Sequence, residues 1–161
     1  TPARNRANKF SFTDDQIKAY NGLIKFINEP YNPNDFKRAL IGAGGTGKTF
    51  LLKALLQDCN IPFSEIGLSA PSHKACRVLR NSIRGTHCNV NTIQSDFGFK
   101  PNYDIEKFDI NNVTFASYGR IKIEDYRLYI VDESSMLNRS LVTYIDKMMK
   151  KYSIKLILCG K

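Results

Sequence analysis

The sequence predicts an α/β fold, a mostly parallel sheet with helices on both faces. Two observations carry this. Short apolar runs suited to buried strands alternate with stretches of helical period, the pattern of parallel strands joined by crossover helices. The first such run, "FKRALIGAGG", also passes straight into a glycine-rich turn that opens a helix-forming stretch.

The elements follow in order. Residues 1–11 are basic and read as a mobile arm, without the apolar segment of a secretory signal. In "FTDDQIKAYNGLIKFI", Thr13 and Gln16 have capping-box spacing, Phe12 and Ile17 have staple spacing, and Ile17, Tyr20, Ile24 and Ile27 repeat at helical period. Pro30 and Pro33 end this helix. After the glycine turn a helix is expected from near Lys48 through "TFLLKALLQD". "FSEIGLSAP" reads as a second strand and "SHKACRVLRNSI" as a helix. Residues 96–124 keep no clear period. "YRLYIVDESS" is a strand ended by two acids, and "NRSLVTYIDKMMKK" is a helix. That helix aligns Leu141, Tyr144, Ile145, Met148 and Met149 on one face, with Asn138 as its cap. "IKLILCG" is a further strand. Right-handed crossovers would gather the turns after these strands along one edge of the sheet, where ligands bind in open α/β folds.

Composition narrows the function. A chain of 161 residues with 42% hydrophobic residues is sufficient for one domain with a core. Lys and Arg number 24 against 15 Asp and Glu, a net +9 that favours polyanionic partners such as nucleic acid. Cys59, Cys76, Cys88 and Cys159 lack metal-knuckle or redox-motif spacing. With no membrane-length apolar run, a reduced, cytoplasmic setting away from membranes is expected.

Gly42-Ala43-Gly44-Gly45-Thr46-Gly47-Lys48-Thr49 matches G-x-x-x-x-G-K-[ST] in full, with a strand before and a helix after. Glycines let successive N–H groups turn inward around phosphate oxygens, and the helix adds its positive end. Lys48 is placed to reach the β- and γ-phosphates of ATP, and Thr49 offers a hydroxyl to Mg²⁺. In "LYIVDESSM", Asp132 ends an apolar strand and is the expected second contact to Mg²⁺. Glu133 is the expected group that polarises the attacking water. In P-loop enzymes with paired acids of this kind another strand lies between the phosphate strand and the acidic strand, and "IKLILCG" is the candidate for that middle place.

Taken together, "FTDDQ", "GAGGTGKT", "APSHKAC", "TIQS" and "VDESSM", in this order across residues 12–136, resemble the Q motif and motifs I, Ia, Ib and II of a known family. The resemblance is to the first motor domain of superfamily 1 DNA helicases of the RecD/Dda-like, 5′-to-3′ group, in a phage-type form. The resemblance implies a RecA-like core over residues 12–161, ATP and Mg²⁺ as cofactors, and a role in replication, recombination or repair. It implies that Gln16 reads the adenine edge, and that Ser72, His73 and Lys74 lie along single-stranded DNA with further contacts from Thr92 and Ser95. Within 96–124 it implies a small inserted subdomain with a strand-separating hairpin, turning near Asn111-Asn112, where Phe108 or Phe115 would wedge against the terminal base pair. The implied partners are single-stranded and fork DNA, a second motor domain of the same protein, and single-strand-binding or replisome proteins. Because that second domain supplies arginines to the γ-phosphate, residues 1–161 are expected to be an amino-terminal part that turns over little alone. The competing readings are a helicase-loader-type ATPase and a non-catalytic nucleic-acid-binding module.

Overall fold

The computed structural model describes residues 12–41 and 46–160, without the side chains of residues 46 and 47. The expected basic arm at 1–11, the loop residues Gly42, Ala43, Gly44 and Gly45, and Lys161 lie outside the described residues.

Helix α1 spans Asp14–Asn28. Its start is the expected capping box: Thr13 Oγ1 accepts from the Gln16 amide and Gln16 Oε1 accepts from the Thr13 amide. Its buried residues are Tyr20, Leu23, Phe26 and Ile27, so the inner face is rotated from the expected one; Ile17 and Ile24 are only half-buried. Phe26 and Leu23 add to the apolar stripe on one side, and that side is the one packed in the core. Strand β1, Lys37–Ile41, leads to helix α2, Thr46–Asp58, which begins two residues ahead of Lys48. Strand β2, Ile66–Ala70, is followed by α3, His73–Ser82, whose cap is Ser72.

A short strand β3, Asn89–Thr92, and a single helical turn α4, Ile93–Asp96, come next. No strand is expected there from the letters. Then come β4, Leu128–Val131, helix α5, Arg139–Tyr152, and β5, Lys155–Gly160. The five strands are all parallel, in the order β1-β5-β4-β2-β3. The last strand in the chain thus sits between the glycine-loop strand and the acidic strand, as expected for "IKLILCG".

Helices cover both faces. On one, α1, α2 and α3 pack onto Leu40, Leu68, Ile130 and Ile157. On the other, α5 and the segment after α4 pack onto Tyr129, Val131 and Leu156. The inner face of α5 is the expected one, with Leu141, Tyr144, Ile145, Met148 and Met149 all buried. Among the described residues no helix is long and apolar enough to cross a membrane, and the four cysteines are free thiols.

Between α4 and β4 the structure corrects the expectation of a hairpin. Residues Ile105–Lys107 and Ile110–Phe115 form 3₁₀ turns, and the only strand-like pairing outside the sheet among the described residues is one antiparallel bridge, Phe99 to Ser117. Asp104 and Asp109 each accept an amide two residues ahead, which favours tight turns over extended strands. Asn138 binds this segment to α5: its Oδ1 accepts from the Leu141 amide, and its Nδ2 donates to the carbonyls of Ile105, Glu106 and Phe108.

At the opposite, amino-terminal edge of the sheet, Lys155 opens β5 with its ammonium turned under α1. Nζ donates to the carbonyls of Phe26, Ile27 and Glu29, which the end of the helix leaves without helical partners. The side chain is buried, and burial lowers its pKa below the usual lysine value.

Candidate functional site

The carboxyl edge of the sheet gathers the residues singled out in the sequence. Lys48, in the first turn of α2, and Asp132, one residue past β4, are 84 positions apart, yet Lys48 Nζ donates to Asp132 Oδ1 at 3.2 Å. Both side chains are mostly covered, 17% and 18% exposed, so this pair is shielded enough to be felt and open enough to be approached. The Asp132 amide donates to the Ser69 carbonyl at 2.8 Å, which extends the β2–β4 pairing by one residue and fixes where the carboxylate leaves the sheet. Beneath the pair lies Cys159 of β5. Burial, and then the Asp132 charge, push its thiol up to about 12, with Lys48 opposing, so it stays protonated packing.

Glu133 has left-handed backbone angles, φ 54° and ψ 37°. A residue with a Cβ pays about 1 kcal/mol for that conformation. The turn redirects the chain at once into the 3₁₀ turn Ser134–Met136, leaving Glu133 half-buried beside Asp132. Thr49 is half-buried in the same first turn as Lys48. Asp132 and Thr49 offer hard oxygen donors, the set that suits Mg²⁺. Among the described residues no group of three or more His, Cys, Asp or Glu could hold a metal ion. An ion at this edge would therefore take most of its ligands from phosphate and water, as Mg²⁺ does in nucleotide sites.

Gln16 is half-buried at the start of α1, and its Oε1 is engaged by the Thr13 amide. Its Nε2 group remains as the donor that could meet an adenine ring nitrogen, while an acceptor role would require the capping bond to open.

The expected strand contacts divide into two sets. Ser72 and His73 are exposed and line a cavity of about 400 Å³ together with Thr92 and Ser95. Lys74 is exposed on the first turn of α3 but is not part of that cavity wall. Ser72 Oγ accepts from the Ala75 amide and Thr92 Oγ1 from the Ser95 amide, so both hydroxyls already cap helices. Thr92 is also buried. The two phenylalanines separate. Phe108 is 3% exposed, stacked on Phe99 at 5.3 Å and packed against Tyr144 at 5.1 Å. It is core, which corrects its expected role as a wedge. Phe115 is 68% exposed at the end of the second 3₁₀ turn.

Sequence reasoning missed several residues at this edge. Tyr118, Arg120 and Lys122 form the far wall of the cavity, and Lys122 Nζ donates to Ser95 Oγ at 3.0 Å. Gln94 Nε2 donates to the Pro71 and Tyr103 carbonyls, while its buried Oε1 has no partner among the described residues. Asp96 is fully buried; Tyr129 Oη donates to its Oδ2 at 2.7 Å and Oδ1 has no partner among the described residues. Burial raises its pKa to about 6, against the pull of Tyr129, Asn91 and Lys122. The excess of basic residues between 118 and 122 was the available signal, but nothing in the letters placed it opposite "TIQS".

A protein of Acanthamoeba polyphaga mimivirus, uncharacterized protein R530, is 28% identical over 166 residues, covering 92% of this chain and 32% of its own length. The chain thus spans about a third of that relative. A structure of Drosophila ORC bound to DNA superposes with a TM-score of 0.48 at 16% identity, over 99% of this chain and 39% of that one. The family profile described as AAA domain matches residues 26–161, from the last turn of α1 through the glycine loop and the acidic strand to the chain's last residue. With most of its length matched, this chain belongs to the AAA domain family of P-loop ATPases.

Proposed function

We propose that this chain is the first motor domain of an ATP-dependent DNA helicase that moves 5′ to 3′ on single-stranded DNA. The observation that carries its ATPase half is the 3.2 Å contact between Lys48 and Asp132, which joins the first turn of α2 to the end of the acidic strand; the DNA half rests on the order of the sequence motifs.

Lys48 would leave Asp132 for the β- and γ-phosphates when nucleotide enters, and Asp132 with Thr49 would then hold Mg²⁺. The ion supplies charge neutralisation along the transferring phosphoryl group. Glu133, turned by its left-handed backbone beside Asp132, orients the water that attacks. Gly42, Ala43, Gly44, Gly45, Thr46 and Gly47 contribute the phosphate cradle, and Gln16 offers its amide nitrogen to adenine. Ser72, His73, Lys74, Thr92 and Ser95 sit on the neighbouring turns of the same edge, which supports a strand running beside the nucleotide. Their contacts are to phosphate and sugar and read no sequence.

The test is DNA-stimulated phosphate release, measured in the longer protein that carries the second motor domain. Lys48→Ala is expected to lower it by about a thousandfold, the scale of losing one charge-stabilising donor, with single-strand binding kept. Glu133→Gln is expected to retain ATP binding and lose turnover. Hydrolysis unchanged in both variants would reject the assignment.

A further inference from the structure

The cavity of about 400 Å³ beside the nucleotide edge has a wall that the motif residues do not account for. That wall is the segment Tyr118–Lys122, positioned by its backbone, with Ile121 turned onto the core and Lys122 bonded to Ser95. The Tyr118 and Gly119 amides both donate to the Gly98 carbonyl at 2.8 Å, and the Lys122 amide donates to the Asp96 carbonyl at 2.9 Å. Gly98 makes this fit possible. Its φ is +68°, and a Cβ there would come within 2.5 Å of the Gly119 carbonyl oxygen. The segment therefore stands close against the turn after α4 while Tyr118, Arg120 and Lys122 stay exposed.

The exposed side chains of the segment are one aromatic and two cations. Tyr118 is 76% exposed, the most exposed of the large hydrophobic side chains among the described residues. Arg120 and Lys122 are exposed beside it, and no acidic side chain lines the cavity. The floor is the buried ring of Phe99. An aromatic plane left in water, next to two cations and over an apolar floor, is the combination that holds an unpaired base and its phosphate. The volume, a few hundred cubic ångströms, is that of a small-molecule pocket and suits a single nucleotide.

We propose that this cavity takes one nucleotide of single-stranded DNA, its base stacked on Tyr118 and its phosphates on Arg120 and Lys122. The proposal rests on the reading that this edge carries a strand, and it adds that the strand is gripped by a base as well as by phosphates. Lys122 exchanges its bond to Ser95 for phosphate, so Ser95 acts here by holding the lysine in place.

The experiment is anisotropy of a labelled oligothymidylate on the chain, titrated over a series of salt concentrations, with a matched abasic oligonucleotide as the second probe. Tyr118→Ala is expected to weaken oligothymidylate binding by about tenfold, and Tyr118→Trp to restore it. The abasic strand is expected to bind wild type and Tyr118→Ala alike. Arg120→Ala and Lys122→Ala are each expected to reduce the salt slope by about one. Tyr118 is exposed, so its thermal unfolding is the control for folding. Equal loss on both probes, or no loss on either, overturns the base pocket. If Lys74→Ala still weakens binding in that case, the strand reading survives without the pocket; if wild type itself binds neither probe, the strand reading fails too. Tighter binding of oligouridylate than of oligothymidylate would overturn DNA as the occupant.

Discussion

Two lysines mark the two ends of the sheet, and they are used in opposite ways. Lys155 lies at the amino-terminal edge, buried, with its ammonium donating to three carbonyls from the end of α1. Lys48 lies at the carboxyl edge with one carboxylate partner and part of its surface open. The first has filled its donor capacity with backbone that cannot leave. Among the described residues the second has a single ionic bond, to one carboxylate. A buried cation fully satisfied by carbonyls is a structural fastener; a cation with donors to spare at a sheet's ligand edge is a candidate for work. Polar accounts elsewhere agree in part. Of the three buried side-chain atoms without a partner among the described residues, Gln94 Oε1 and Asp96 Oδ1 belong to the turn after β3. The third, Tyr31 Oη, is near the other end.

The contrast can be broken by measurement. Lys155→Met is expected to destabilise the chain by about 4 kcal/mol, because it strands buried carbonyls. Denaturant titration reads this, and a loss below about 1 kcal/mol would mean that α1 finds other caps. Asp96→Asn sharpens the comparison through pH. The native pKa of Asp96 is raised from 3.8 to about 6, so this group's contribution is whole below the lower value and is lost as pH rises through the higher one. The neutral variant is expected to be up to about 3 kcal/mol more stable than wild type near neutral pH, and no more stable below about pH 4. A gain that stays constant with pH would show that the shift is not the cause. Asn138→Ala is expected to cost about 2 kcal/mol, from one helix cap and the anchored carbonyls of the 3₁₀ segment. Amide exchange should quicken at 105–115 before it does in the sheet. The smallest effect belongs to Lys48→Ala, expected to change stability by about 1 kcal/mol or less, since the carboxylate left behind keeps a face through which water can solvate it. A large loss there would make Lys48 a fastener as well.

How much of this could be read from the letters differs from one residue to the next. The helix after the glycine turn, the apolar strand that the two acids follow and the buried face of α5 were legible, because each is a local pattern whose spacing carries its meaning. The central place of β5 was legible through the same loop-and-acid grammar. Strand β3 was not: "NVNT" has one strongly apolar residue and gains its strand pairing only from β2. Phe108 and Phe115 look alike in the sequence and end up 3% and 68% exposed, because tertiary packing against Tyr144 and Phe99 decides between them. Asp104 and Asp109 were the missed sign that 103–118 turns tightly in place of pairing as a hairpin. Lys155 carried no signal, since a lysine opening an apolar run gives no hint of a helix end waiting 126 residues earlier.

The strand order has a consequence for synthesis. β1 pairs only with β5, and β4 meets β1 only through it. While a ribosome is still making the chain, the phosphate turn and the acidic turn belong to separate, unjoined pieces. They become neighbours when β5 slides into the gap between them, so a nascent chain cannot present a finished nucleotide cleft until residues 155–160 have emerged.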